Sequence, residues 1–241
     1  MLDLGLSFLA SVARDPNALA IIDGKVRLSY AQWYRRISAL VAGFDAIGLK
    51  AGDHLVTALT NRSEAASLHW ACQFAGVIIT PVNWRSTADE LDFYVENAEA
   101  RAVVYEDASA AAIAGSAVAQ KLPRIALDAA PAPAIAFADL ASATTAPDAT
   151  PRADAEAWSV MLYTSGTTAR PKGVPRRQRA ERAAALAHVA QNLYGHGERT
   201  LGVMPLYHTM GVRSLLAMSL DRKSTRLNSS HRNLSRMPSS A

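Results

Sequence analysis

Residues 76–83 read Gly-Val-Ile-Ile-Thr-Pro-Val-Asn, a nearly continuous apolar run. A strand with one wet face alternates apolar and polar residues, whereas a run without alternation is buried on both faces, as in a parallel sheet covered by helices. Strand and helix patterns alternate around it. Two apolar runs flank Asp23-Gly24 in LAIIDGKVRLSY, a hairpin signal because both turn residues tolerate positive φ. Ser29 with Gln32 forms a capping box for a helix to about Ala46, which Gly48 helps to end. His54 to Leu59 reads as a strand, Asn61 with Glu64 offers a second helix start, and Thr87 with Glu90 caps a third helix before the strand-like RAVVYED. Strands alternating with helices of this length predict βαβ units. The expected fold class is α/β, a doubly wound, mostly parallel sheet over residues 15–127.

The 241 residues are half apolar, ample for a core. No apolar run reaches the length of a membrane helix, and the start has no basic signal-peptide region, so a cytoplasmic location is expected. Cys72 is the only cysteine; no intrachain disulfide can form, and its apolar helical setting reads as a buried structural thiol. The formal charge of +4 resides entirely in residues 221–241, where Arg222, Lys223, Arg226, Arg232 and Arg236 face Asp221 alone. The body is neutral, so no specific nucleic-acid partner is expected.

Residues 128–157 are rich in Ala, Pro, Thr and Asp and read as a surface connection with a short strand near Ile135 to Phe137. Pattern returns with a strand at Ala157–Tyr163 running into Thr164-Ser165-Gly166-Thr167-Thr168-Ala169-Arg170-Pro171-Lys172-Gly173. Four hydroxyls, two glycines that let backbone approach a ligand, and one mobile ammonium suit a polyphosphate. The spacing is not that of the mononucleotide P-loop, because Gly166 is followed by Thr-Thr-Ala-Arg-Pro-Lys. Residue types alone leave a solvent-exposed polar turn equally open.

The complete string YTSGTTARPKGV, residues 163–174, closely resembles the signature loop of the adenylate-forming enzymes, the superfamily of acyl-CoA synthetases, luciferases and peptide-synthetase adenylation domains. The segments beginning LSYAQWYRR, GVIITPVNW and VMPLYHTMG are similar to that family's segments in the same order, so the resemblance covers nearly all of residues 15–220. It implies attack of a carboxylate on the α-phosphate of ATP, departure of pyrophosphate, and capture of the acyl-adenylate by a thiol, usually that of coenzyme A. It implies that Thr164, Ser165, Gly166, Thr167, Thr168 and Lys172 hold the β- and γ-phosphates, with Thr164 the residue to touch Mg²⁺. His208 matches a family histidine at the mouth of the acyl pocket, where it contacts the substrate carboxylate or gates its entry; the structural alternative is a histidine satisfied by backbone in a buried loop.

Ala169 stands where the family usually has glycine, which at a position of positive φ would cost on the order of 1 kcal/mol. The run VPRRQRAERAAALAHV lacks the Thr-His or Ser-His pair of many fatty-acyl members and reads locally as a solvated helix start. The resemblance looks closer to aryl-acid CoA ligases such as the halobenzoate enzymes, implying an aromatic or medium-size carboxylic acid as the small-molecule substrate.

The resemblance also implies that the adenine- and ribose-binding segments, a metal-holding glutamate and a small C-terminal domain with a catalytic lysine belong after Leu220. The chain continues instead with DRKSTRLNSSHRNLSRMPSSA, which has no apolar period and in part reads as a translated sequencing adapter. The expected organisation is an α/β subdomain at 1–127, a connection at 128–157, the start of a second α/β region at 158–220, and a non-native tail at 221–241. Two other functions stay open: an adenylation enzyme that loads a carrier-protein thiol, and a non-catalytic fragment. A G-x-S-x-G hydrolase motif is absent.

Overall fold

A computed structural model describes residues 3–128, 134–142, 145–164, 170–194 and 198–220, and the backbone of 224–227. The N-terminal helix α1 (Leu4–Arg14) precedes a hairpin of β1 (Leu19–Asp23) and β2 (Val26–Ser29). Asp23 pairs with Val26, so the turn is Gly24-Lys25 and Gly24 alone takes positive φ, at 53°. Asp23 has a different task. Its carboxylate accepts the amide of Ser63 at 2.8 Å, far along the chain.

Helix α2 (Tyr30–Ala46) opens on the expected Ser29/Gln32 capping box, and Gly48 beyond its end has φ 80°. There follow β3 (His54–Ala58), α3 (Ser63–Ala75), β4 (Ile78–Val82), α4 (Ala88–Asn97, with the Thr87/Glu90 capping box) and β5 (Ala100–Tyr105). A short α5 (Ala110–Gly115), β6 (Arg124–Ala126), β7 (Ile135–Ala136) and α6 (Phe137–Ala141) complete the first half. The second contains β8 (Trp158–Tyr163), β9 (Gly173–Arg177), α7 (Gln178–Gln191), β10 (Arg199–Gly202), α8 (Thr209–Leu220) and β11 (Ser224–Leu227).

Seven strands form one sheet in the order β7-β6-β5-β3-β4-β8-β9, parallel throughout except for the β8–β9 hairpin. Every residue of β4 is buried, the arrangement its unbroken apolar run predicts. Successive strand residues enter opposite cores: Leu55, Ile79 and Val104 pack with α2 and α3, and Val56, Ile78 and Val103 with α4. Helices therefore cover both faces, and the fold is α/β with a mostly parallel, doubly wound sheet. Sheet membership cuts across residue 127, since β8 and β9 extend the first sheet beside β4.

The second sheet has the order β10-β11-β1-β2. Its β11 lies inside the 221–241 tail, where no apolar pattern announces a strand, and runs parallel to both β1 and β10. Between the sheets an aromatic cluster gathers on Phe8, whose ring centroid lies 4.6 Å from Trp70 and 5.2 Å from Trp33. The end of α8 is tied into this cluster. Tyr30 donates to the carbonyls of Met218 and Ser219, and Ser11 to that of Leu220. These long-range donors satisfy carbonyls that a helix C-terminus leaves without intrahelical partners. Cys72 is fully buried, and burial pushes its thiol up from the ordinary range, so it is a structural residue.

Candidate functional site

The base of the candidate phosphate loop is a closed hairpin neck. Tyr163 and Gly173 are the last paired residues of β8 and β9. Beyond them the Thr164 amide donates to the Lys172 carbonyl at 3.0 Å, and the Lys172 amide reaches Thr164 Oγ1 at 3.4 Å. Thr164 and Lys172 are thereby held opposite each other, and both are exposed. Ser165, Gly166, Thr167, Thr168 and Ala169 lie outside the described residues. Gly173 has a role in the sheet: a Cβ there would meet Met161 Sδ of β8 at 2.8 Å.

Helix α4 buttresses this neck. Tyr163 donates to Asn97 Oδ1 at 2.8 Å and packs on Tyr94 with centroids 4.6 Å apart, while the Arg170 guanidinium lies 5.5 Å from the Phe93 ring. Burial, with Tyr94 alongside, pushes the Tyr163 hydroxyl up to about 12, so it stays a neutral donor at physiological pH. The strand end is thus fixed by a packed phenol, with Thr164 and Lys172 exposed just beyond it.

His208 sits in the turn that opens α8. Its amide donates to Pro205 O at 3.0 Å, its carbonyl accepts from Val212 N at 3.1 Å, and its ring packs on Tyr207 with centroids 4.5 Å apart. The side chain is exposed, which separates it from a histidine buried in a loop. Val203, Met204 and Met210, close to it along the chain, are exposed too. Gly211 explains how the turn folds back so closely: a Cβ there would collide with the Pro205 carbonyl oxygen and lie 2.8 Å from that of Met204.

Two connections carry this turn, and sequence reasoning missed both. Asn61, expected to cap α3, instead sends its side chain to the loop before His208. Nδ2 donates to Gly202 O at 3.0 Å and Met204 O at 2.8 Å, and Oδ1 accepts from Leu206 N at 2.9 Å. The cap position of α3 is Arg62, without a side-chain cap bond, and the Ser63 amide is satisfied by Asp23. Arg176, read as part of a solvated basic run, is half-buried between Glu181 Oε1 at 3.2 Å and Thr209 Oγ1 at 2.8 Å. Since Arg176 is on β9 and Thr209 follows His208, this contact joins the loop hairpin to the histidine turn. Arg177 is also engaged, 4.3 Å from the Trp158 ring.

His54 bonds Thr80 at 2.9 Å, His69 is buried and His188 pairs with Asn192 and Tyr194; His196 lies outside the described residues. Among the described residues no group of three or more His, Cys, Asp or Glu side chains could hold a metal. The donor chemistry still suits Mg²⁺ in one way: the exposed Thr164 hydroxyl can supply one hard oxygen while phosphate oxygens and water supply the others. No helix among the described residues is long and apolar enough to cross a membrane.

A model of the AMP-binding enzyme family matches residues 8–225. The chain belongs to the AMP-binding enzyme family. Within it, the chain is 27% identical over 204 residues to a 2-succinylbenzoate–CoA ligase of Bacillus licheniformis, covering 83% of this chain and 39% of that protein. It is 28% identical over 193 residues to a feruloyl-CoA synthase of an Amycolatopsis species, covering 80% and 37%. The crystal structure of the N-terminal domain of FACL13 from Mycobacterium tuberculosis superposes with a TM-score of 0.86 at 20% identity, covering 95% of this chain and 57% of that one, a likeness of fold. The chain spans less than half the length of these two curated relatives.

Proposed function

We propose that the protein activates a carboxylic acid with ATP to an acyl-adenylate and transfers the acyl group to coenzyme A, with residues 164–172 as the pyrophosphate grip. The observation that supports this most is the hairpin neck that faces Thr164 and Lys172 toward solvent, in a chain of the AMP-binding enzyme family. Lys172 and the hydroxyls of Thr164, Ser165, Thr167 and Thr168 would bear on the β- and γ-phosphates and steady the leaving group as negative charge builds on it. Mg²⁺, with Thr164 as one ligand, would supply neutralisation of that charge. His208 would meet the acid's carboxylate, and the exposed apolar Val203, Met204 and Met210, near it in the chain, suit an aromatic or medium-size acid. The names of the two relatives, a succinylbenzoate ligase and a feruloyl-CoA synthase, support the same substrate class.

The test is pyrophosphate release that requires both ATP and a carboxylic acid, across a panel of benzoates, cinnamates and fatty acids, with coenzyme A or a carrier protein supplied in parallel. Lys172→Ala is expected to lower the ATP-dependent rate by about a hundredfold, the scale of losing one donor to developing charge. An unchanged rate would sink the loop assignment, and acyl transfer to the carrier alone would replace coenzyme A as acceptor.

A further inference from the structure

We infer that Asn61 is a positioning residue for His208, acting through the backbone of residues 202–206. The inference rests on the site proposed above for its chemical meaning, and on geometry for its mechanics.

Asn61 is 2% exposed and spends its carboxamide entirely on one distant loop, as donor to two carbonyls and acceptor from one amide. An amide side chain is the only common one that can serve this pattern at once, because a carboxylate lacks the donors and an ammonium lacks the acceptor. The three contacts fall on Gly202, Met204 and Leu206, alternate residues of the connection that leaves β10 and bends toward α8. They stop two residues short of His208, whose own amide then closes on Pro205 O. The turn thus has a fixed entry at Asn61 and a fixed exit where Arg176 holds Thr209. With both ends held, the imidazole keeps its place although its ring is exposed.

Local capping does not account for this residue. Asn61 lies two positions before α3 and could turn back on that helix, yet the Ser63 amide is taken by Asp23 Oδ2 at 2.8 Å. The β1–β2 hairpin therefore does the capping, and Asn61 is released for the long-range bond.

The test uses the 241-residue chain and two readouts. In the unmodified chain the Leu206 amide should exchange with solvent at least about tenfold more slowly than its intrinsic rate, the factor expected of one hydrogen bond. Asn61→Ala should erase that protection and shift the His208 ring-proton resonances, while amides of Leu55 and Val103 in the central sheet keep theirs. A Leu206 amide exchanging at its intrinsic rate in the unmodified chain would overturn the inference without any variant. So would a His208 environment unchanged in Asn61→Ala, or a loss of protection spread evenly over sheet and loop, which marks a merely structural role. Absence of ATP-dependent pyrophosphate release from the unmodified chain would count against the function proposed above and not against the positioning, which these two readouts decide.

Discussion

His69 lies on α3 with 3% of its surface exposed, and its Nε2 has no hydrogen-bond partner among the described residues. Burial pushes the imidazole down to about 4 from the ordinary 6.5, so the folded protein holds it neutral where the unfolded chain already binds a proton. A base whose folded value is depressed contributes full stability above the unfolded value and loses it as pH falls toward the folded one. The expected window is pH 6.5 down to 4, with a slope approaching about 1.4 kcal/mol per pH unit from this side chain. Urea midpoints measured across that range should fall less steeply for His69→Leu than for the parent; equal slopes would show that His69 takes up its proton without unfolding. This residue was legible in the sequence only as a histidine without functional context. Burial of its ring depends on α3 being covered on all sides, and no local pattern reports that.

At the scale of elements, legibility followed range. The capping boxes at Ser29/Gln32 and Thr87/Glu90 and the buried run of β4 are written within a few neighbouring residues, and all three formed as read. Pairings over long separations were not legible: β8 beside β4, Asn61 on residues 202–206, and β11 between β1 and β10. The last bears on the tail. Residues 224–227 have no strand pattern, yet their backbone bridges two edges that would otherwise face each other unpaired. Pairing by main chain is largely indifferent to side-chain identity. Removing 228–241 is therefore expected to leave the melting temperature unchanged. Removing 221–241 should lower it by about 4 °C, corresponding to roughly 1–2 kcal/mol in a chain of this size. Arg226→Pro, at a position paired with both Ile22 and Leu201, should reproduce that drop because proline has no N–H to give, whereas Arg226→Ala should not. Equal melting of the 1–220 and 1–227 chains would show that β11 contributes nothing.

Across the whole molecule, the order in which strands are added to the sheet reverses between the parallel neighbours β3 and β5. The connection after β3 leads to β4 on one side, and that after β5 leads to β6 on the other. The loops part there and leave a cleft of about 360 Å³ lined by Asp23, Thr60, Arg62, Glu64, Glu106 and Asp128. Arg62 closes it, reaching Glu106 at 2.8 Å, Glu64 at 3.1 Å and Asp128 at 3.2 Å. One guanidinium thus joins the ends of β3, β5 and β6, and Glu106, with a side chain only 2% exposed, also accepts the Thr60 amide. Asn61 stands between Thr60 and Arg62, so this network also fixes the segment that reaches out to the His208 turn. Arg62→Met should cost about 3–5 kcal/mol, because it leaves a buried carboxylate without its cation beside two others. Much of that loss should return in Arg62→Met with Glu106→Gln, where the amide still accepts from Thr60 and carries no charge. The check is denaturant unfolding of the two variants at neutral pH and low salt. If the double variant is no more stable than the single one, the cost lies in lost packing of the arginine stem, and the charge network is not what holds the three strand ends together.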